Sequence, residues 1–400
     1  WKVSALAGTE ICISCLDPNM HKRTDTDEIV GKHVLRRLEL CHRIGNGAHG
    51  MVWKAIEKRT RRAVALKKCF NVLSRVRDAQ QMYREIMYLH RLTGHDNIIN
   101  MQHVILAGNG QDMYITFEYM QTDMYAVIRA AILTPIHTKY IVYQLLKALK
   151  FIHSAGVVHR DIKPSNLLLN DDCHLKVCDF SLARTLDLDQ LATEAPLTDY
   201  VGTRWYRAIE LLLGSTHYTV AIDVWAVGCV YAEMLLGRPV FPGASTTGQI
   251  VKILELIGRP SIQEIESVNS AYASTLLDML PIVRPVSFVE MFPNVSAEAL
   301  NFLSQCLCYN PKRGNRCSVI DGLRHPLVAE FHDADDEPSS TKICLGLNDK
   351  QLFRAIEYQR AICDAVSKRK LTARKLERAL MANPARTILM ENEETLPEPF

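Results

Sequence analysis

The chain has 400 residues, 48% of them hydrophobic, which suits packed lobes with extensions rather than a disordered or fibrous polymer. Its 47 Lys and Arg nearly balance 44 Asp and Glu, and a net charge of +3 gives no overall field that would favour nucleic acid or an anionic membrane as the main partner. Twelve cysteines without framework spacing fit reduced thiols in the cytoplasm and/or nucleus better than a disulfide scaffold. The one CxxC, at Cys12 and Cys15, lacks the second pair that a zinc site needs. The most apolar region, 220–236, is broken by Asp223 and Glu233, so no membrane span is expected. Residue 1 is Trp, Met20 offers an alternative start, and residues 1–20 lack the pattern of a secretory signal.

In chain order, residues 38–45 predict a strand running into Gly45-Asn46-Gly47-Ala48-His49-Gly50-Met51-Val52, with a second strand through Ile56. Glycines let the backbone approach phosphate closely, so the N–H groups of such a hairpin can cover a nucleotide. GxGxxG alone is a weak signal, but a strand on both sides argues against a dinucleotide fold, in which a helix follows. Residues 62–70 alternate into a third strand that contains Val64-Ala65-Leu66-Lys67. The period over about 76–92 predicts a helix with Met82, Ile86 and Leu89 on one side and Gly94 as its stop. Glu85 lies beside that apolar side, where it can reach Lys67 and fix the ammonium on nucleotide phosphates; the plainer alternative is a surface carboxylate. Arg84 is turned about 100° away.

Two further strands, about 101–106 and 113–118, lead to Tyr119-Met120-Gln121-Thr122-Asp123, where two lobes should join. A helix over 135–154 presents Ile141, Leu145, Leu149 and Ile152 inward and ends at Gly156. Then comes His159-Arg160-Asp161-Ile162-Lys163-Pro164-Ser165-Asn166, with a carboxylate, a lysine and a carboxamide at spacings that phosphoryl transfer can use. Asp161 can accept the proton of an attacking hydroxyl, Lys163 can sit on the moving phosphoryl oxygens, and Asn166 can ligate a metal ion. His-Arg-Asp alone recurs by chance, but Val177-Cys178-Asp179-Phe180 follows one hairpin later and adds a second metal-binding carboxylate at Asp179.

The stretch 179–210 has little regular pattern and is too long for a passive connection, which predicts a mobile segment. Helical patterns dominate 219–327, and Asp223 falls in a first helical turn, placed to accept backbone N–H bonds from the catalytic loop in a structural role. From Phe331 the character changes: acidic Asp333-Ala334-Asp335-Asp336-Glu337 precedes a basic helical stretch over about 349–380.

These motifs resemble the eukaryotic protein kinases from Leu38 to Val328, and the finer ones resemble the mitogen-activated protein kinases. The latter are Thr198-Asp199-Tyr200 followed by Val201-Gly202-Thr203-Arg204-Trp205-Tyr206-Arg207, the run Pro164 to Asn170, and an insert beginning near Phe241-Pro242-Gly243. Val52-Trp53-Lys54-Ala55 and the run Thr122 to Arg129 are most similar to the atypical extracellular-signal-regulated kinase seven and eight branch. The resemblance implies an α+β, bilobal fold with a small β-rich N-lobe (about 38–118) holding one key helix and a larger, mainly α-helical C-lobe (about 121–328). Residues 1–37 and 329–400 would be extensions.

It further implies ATP, with Mg²⁺ on Asn166 and Asp179, and transfer to Ser or Thr followed by Pro through a pocket near Val201, Arg204 and Arg207. ATP would lie beneath Ile44 to Val52, with Ala65 and Leu169 on the adenine, backbone groups of Glu118 and Met120 at its edge, and Phe117 as gatekeeper. Asp123 would bond the ribose or simply cap a helix. Phosphorylation of Thr198 and Tyr200, by an upstream kinase or by the chain itself, would recruit Arg84, Arg160 and Arg184 to the first phosphate and Arg204 and Arg207 to the second. Asp333 and Asp336 would dock basic motifs on partners, with a solvated acidic turn as the alternative. Two residues depart from the family pattern: Ser181 stands for Gly, and Ile209 for Pro. They leave open a catalytically weak, kinase-shaped scaffold. Glu210 should still find an arginine, Arg316 by counting back from His325-Pro326, with Arg313 as the other candidate.

Overall fold

Alternating side chains decide the first lobe. In a computed structural model, which describes residues 30–47, 50–186, 203–215, 219–312, 315–348 and 351–382, a short helix Lys32–Leu35 (α1) precedes the strands Leu38–Gly47 (β1), Gly50–Glu57 (β2) and Ala63–Cys69 (β3). The helix Val76–Arg91 (α2) and the strands Met101–Leu106 (β4) and Met113–Glu118 (β5) complete the lobe. The five strands pair antiparallel in the order β1-β2-β3-β5-β4. On one face Trp53, Ala55, Val64, Leu66 and Tyr114 pack with Val30 and Val34 from the α1 region. On the other, Cys69, Met113, Ile115 and Phe117 join Met82, Ile86 and Leu89 of α2, the side that the period had singled out. β1 runs two residues beyond the expected end, because Asn46 pairs with Met51 and Gly47 with Gly50.

The second lobe begins with Thr122–Asp123 (β6), Met124–Arg129 (α3) and Pro135–Ser154 (α4). Pro135 opens α4 in the position where its missing N–H costs nothing, and Thr134 and His137 cap each other. Val157–Val158 (β7), Leu167–Leu169 (β8), Leu175–Val177 (β9) and Arg184–Thr185 (β10) frame the loop at Asp161, with sheet orders β6-β8-β9 and β10-β7. Buried Asn97 and Gln144 lock that frame: the Asn97 amide donates to Gln144 and to the Leu175 carbonyl, and Gln144 accepts the Leu175 N–H.

Beyond lie Ile209–Leu212 (α5) and Ala221–Leu236 (α6); α6 is apolar almost all round and therefore buried. The insert supplies Thr246–Ile257 (α7), Ile262–Val268 (α8) and Ala273–Asp278 (α9), and Phe288–Met291 (α10), Ala297–Cys306 (α11) and Val319–Leu323 (α12) follow. The last helix, Ala355–Ala382 (α13), starts later than expected, where the Arg354 N–H donates to Glu357. Ile343, Tyr358 and Ile362 enter the main core, and Tyr358 packs on Tyr83 of α2 with ring centroids 5.5 Å apart, so this segment returns to the first lobe. Among the described residues no helix is long and apolar enough to cross a membrane.

Candidate active site

Lys67 points from β3 toward α2, and its Nζ lies 2.6 Å from Oε1 of Glu85. Burial opposes the ammonium charge, but Glu85, helped by Cys69 and Asp179, outweighs it and holds the lysine pKa well above its ordinary value. The hairpin above this pair is constrained at one glycine: a Cβ on Gly50 would collide with the Lys68 carbonyl of the neighbouring strand. Gly45 meets nothing closer than 3.6 Å. In register, Gly45 faces Val52, Asn46 faces Met51, and Ile44 lies just before them; Ala48 and His49 fall outside the described residues.

The loop between β7 and β8 gathers three predicted residues into one hydrogen-bonded group. Oδ2 of Asp161 accepts from Lys163 Nζ at 2.7 Å and from Asn166 Nδ2 at 2.9 Å, and the same amide reaches the Asp161 carbonyl at 2.9 Å. With its N–H groups committed to Asp161, the Asn166 side chain presents its oxygen as a hard ligand. The loop backbone is held from below by Asp223, which accepts the N–H groups of His159 and Arg160, both at 2.9 Å. His153 Nε2 lies 2.9 Å from Asp223 Oδ2. Burial would raise the Asp223 pKa, but His153, His159 and the Arg160 N–H bring it below the ordinary carboxylate value. Asp223 was anticipated from the sequence; His153, 70 residues away from it, was not.

Asp179, half-buried, sits at φ +63° beside the buried Phe180, whose ring meets His159 edge-on at 4.8 Å. The carboxyl pKa is below its ordinary value: burial opposes ionisation, but Lys67, the Ser181 hydroxyl, Lys163 and His159 outweigh it. Asp179 and Asn166 offer oxygen donors of the type Mg²⁺ prefers. Among the described residues no cluster of three or more His, Cys, Asp or Glu could hold a metal alone. Mg²⁺ is usually held by one or two protein oxygens together with water and phosphate, and this donor set fits Mg²⁺ on a nucleotide.

At the junction of the lobes Phe117 is 9% exposed. The Glu118 carboxylate is taken by the Asn100 N–H at 2.7 Å and by Lys176 at 3.1 Å, a lysine that the sequence reading missed. The Glu118 N–H goes to the Asn100 carbonyl, so only its own carbonyl can serve a ligand edge. Met120 and Leu169 are buried, Ala65 partly so. Asp123 caps α3 through the Ala126 N–H at 2.9 Å, and burial raises its pKa. A small cleft beside Asp161 is lined by Arg160, Thr203, Tyr206 and Arg207. Thr198, Tyr200 and Val201 lie outside the described residues. Of the arginines read as a phosphate clamp, Arg84 is 5% exposed and Arg184 donates to the carbonyls of Leu182 and Ala183.

Arg316, fully buried, grips Glu210 with two bonds of 2.7 and 3.0 Å and also donates to the carbonyls of Cys308 and Ala221. Arg313 is outside the described residues. Ile209 is buried in the core. In the acidic turn, Asp336 pairs with Lys147 of α4 at 2.9 Å. Glu337 is buried against His332 at 2.7 Å and Lys150 at 3.5 Å.

Comparison with known proteins gives the family of the chain. The protein kinase domain family matches residues 38–328. Extracellular signal-regulated kinase 2 of Dictyostelium discoideum is 47% identical over 364 residues, 90% of this chain and 97% of that protein. Mitogen-activated protein kinase 15 of Xenopus laevis is 42% identical over 87% of this chain and 60% of its own length. Extracellular signal-regulated kinase 7 of Drosophila melanogaster is 42% identical over 74% of this chain and 33% of its own length. The chain thus spans nearly all of the first relative but only part of the other two. These relatives do not favour the scaffold alternative. The chain belongs to the mitogen-activated protein kinase family, in the branch of the extracellular-signal-regulated kinases seven and eight, and is a Ser/Thr protein kinase with a bilobal α+β fold.

Proposed function

We propose that this kinase moves the γ-phosphoryl group of ATP to Ser or Thr followed by Pro on signalling proteins, using the loop at Asp161. Asp161 orients the acceptor hydroxyl and takes its proton, Lys163 neutralises charge on the phosphoryl oxygens, and Lys67, fixed by Glu85, positions the nucleotide. Ile44 to Val52 cover the phosphates, Ala65 and Leu169 sandwich the base, the backbone of Glu118 and Met120 meets its edge, and Asp123 reaches the ribose. Asn166 and Asp179 would hold Mg²⁺, which would offset the phosphate charge. The hydrogen-bonded group of Asp161, Lys163 and Asn166 carries this reading.

Residues 38–328 form the catalytic unit in this reading, with 1–37 and 329–400 as extensions, and the protein works in the cytoplasm and/or nucleus. Phosphorylation of Thr198 and Tyr200 raises activity, and Asp333 and Asp336 dock basic partner motifs. The test is turnover of a Ser/Thr-Pro peptide by purified protein with ATP and Mg²⁺. Transfer that persists at the wild-type rate in Asp161→Asn, or that shows no need for Mg²⁺, defeats the assignment.

A further inference from the structure

One residue on from Glu85, Ile86 turns into a second cavity, of about 880 Å³, separate from the loop at Asp161. Its floor is apolar, made by Ile86 of α2, Met101 and Val104 of β4, and Ala365 and Val366 of α13. Its rim is cationic: Arg36 and Arg37 from the α1–β1 turn, Lys58 and Arg59 from the β2–β3 turn, and Arg369 from α13. Glu57 is the one carboxylate in the lining. The two turns are tied together, since the Lys58 N–H donates to the Arg37 carbonyl at 2.9 Å and Lys58 Nζ to the Leu35 carbonyl at 2.8 Å.

Arginines on a surface are usually just solvated, and exposure of Arg36, Arg37 and Arg59 fits that plain account. Two features go against it. Among the described residues none of the five rim cations is in an ion pair, although five cations converge on one mouth. Arg369, half-buried, donates to the Met101 carbonyl at 2.9 Å, and burial lowers its pKa with no carboxylate to offset it. His90, at the same wall, is likewise pushed down by burial and by Arg369 and Arg91. The site is thus charged for an anion that none of the described residues supplies.

We propose that this cavity binds a phosphorylated segment of a partner protein, with the phosphate on the arginine rim and a neighbouring apolar side chain on the Ile86–Val104 floor. A bare anion would use the rim alone and leave the floor wet. The volume is that of a ligand pocket, and arginine forks match the three oxygens of a phosphate.

The test is fluorescence anisotropy of the full chain with a labelled peptide in which two phenylalanines flank a phosphoserine. Saturable binding is expected, weaker by at least about tenfold when the phosphoserine is serine or when both phenylalanines are glycine. Saturating Mg²⁺-ATP should not displace the peptide. Arg36→Glu with Arg59→Glu, exposed positions on turns, should abolish binding while leaving the circular dichroism melt unchanged; Arg36→Lys with Arg59→Lys should retain part of it. No saturation up to about 1 mM, equal affinity in the charge-reversed variant, indifference to loss of the phenylalanines, or displacement by ATP would each overturn the proposal.

Discussion

The hydroxyl of Ser181 donates to Oδ1 of Asp179 at 2.7 Å, and the Ser181 N–H lies 3.3 Å from the same oxygen. The residue at positive φ in this turn is Asp179, at +63°, and Ser181 is not at positive φ, so the structure does not require glycine at 181. Ser181→Gly is therefore expected to leave turnover unchanged or modestly raised. It also removes one of the groups that keep the Asp179 carboxyl pKa below its ordinary value. Loss of that donor raises the pKa, so the acid limb of the kcat/KM profile for Mg²⁺-ATP should move to higher pH. Superimposable profiles for wild type, Ser181→Gly and Ser181→Ala would remove any role for this bond.

Glu210 and Arg316 are both buried and joined by two bonds, so removing either leaves an uncompensated charge. Arg316→Met is expected to cost about 3–5 kcal/mol in urea unfolding. Arg316→Lys should not rescue it, because an ammonium cannot reproduce the fork that also serves Cys308 and Ala221. The double change Glu210→Met, Arg316→Met should recover much of the loss. A single-variant cost below about 1 kcal/mol would mean that the pair does not hold the segment.

The contrast between these residues and others shows how far the chain could be read directly. The stripes of α2 and α4 were legible because helical period is local, and Lys67 with Glu85 was legible because the pairing joins two recognisable elements. Arg316 came from counting along a motif. His153 under Asp223, Lys176 on Glu118, and the return of Tyr358 to Tyr83 were not legible: each joins side chains far apart in sequence, with no local pattern at either end. The acidic turn shows the same limit. Its composition announced a charged surface, but the partners of Asp336 and Glu337 on α4 appear only after folding.

Asp333 and Asp336 remain the test of docking, with one added control. Asp333→Lys with Asp336→Lys should weaken a basic docking peptide and lower the salt dependence of its binding. Because Asp336 also pairs with Lys147, which is 7% exposed, and Asp333 caps the following turn through the Asp335 N–H at 3.2 Å, the variant should melt lower as well. Unchanged peptide affinity at low salt in a folded double variant would leave a solvated acidic turn.

Cys178 lies beside Asp179, and burial, reinforced by the Asp179 charge, pushes its thiol pKa up. Little thiolate is present near neutral pH, whereas Cys41 and Cys344 are exposed. Iodoacetamide should therefore alkylate Cys41 and Cys344 well before Cys178, as read by peptide mass spectrometry. Rapid labelling of Cys178 that ATP blocks would instead make it a reactive pocket thiol.

Asp223 supports the loop with both oxygens, one for the Arg160 N–H and one shared by the His159 N–H and His153. Asp223→Asn keeps the shape but replaces one acceptor by a donor, so one loop N–H must face another N–H in a buried place. The expected cost is about 1–3 kcal/mol, and the loop at Asp161 should lose its fixed geometry. Turnover should then fall more than the affinity for ATP, since Lys67 and Glu85 are untouched. The pH dependence has a defined sign. A carboxylate whose folded pKa lies below its unfolded value stabilises above the unfolded pKa, and that contribution is lost as pH falls through the folded one. Wild type and Asp223→Asn should therefore differ most near neutral pH and converge in strong acid. A stability gap that stays constant down through the carboxylate range, or a variant with wild-type kcat, would show that Asp223 does not act as a charged support for the loop.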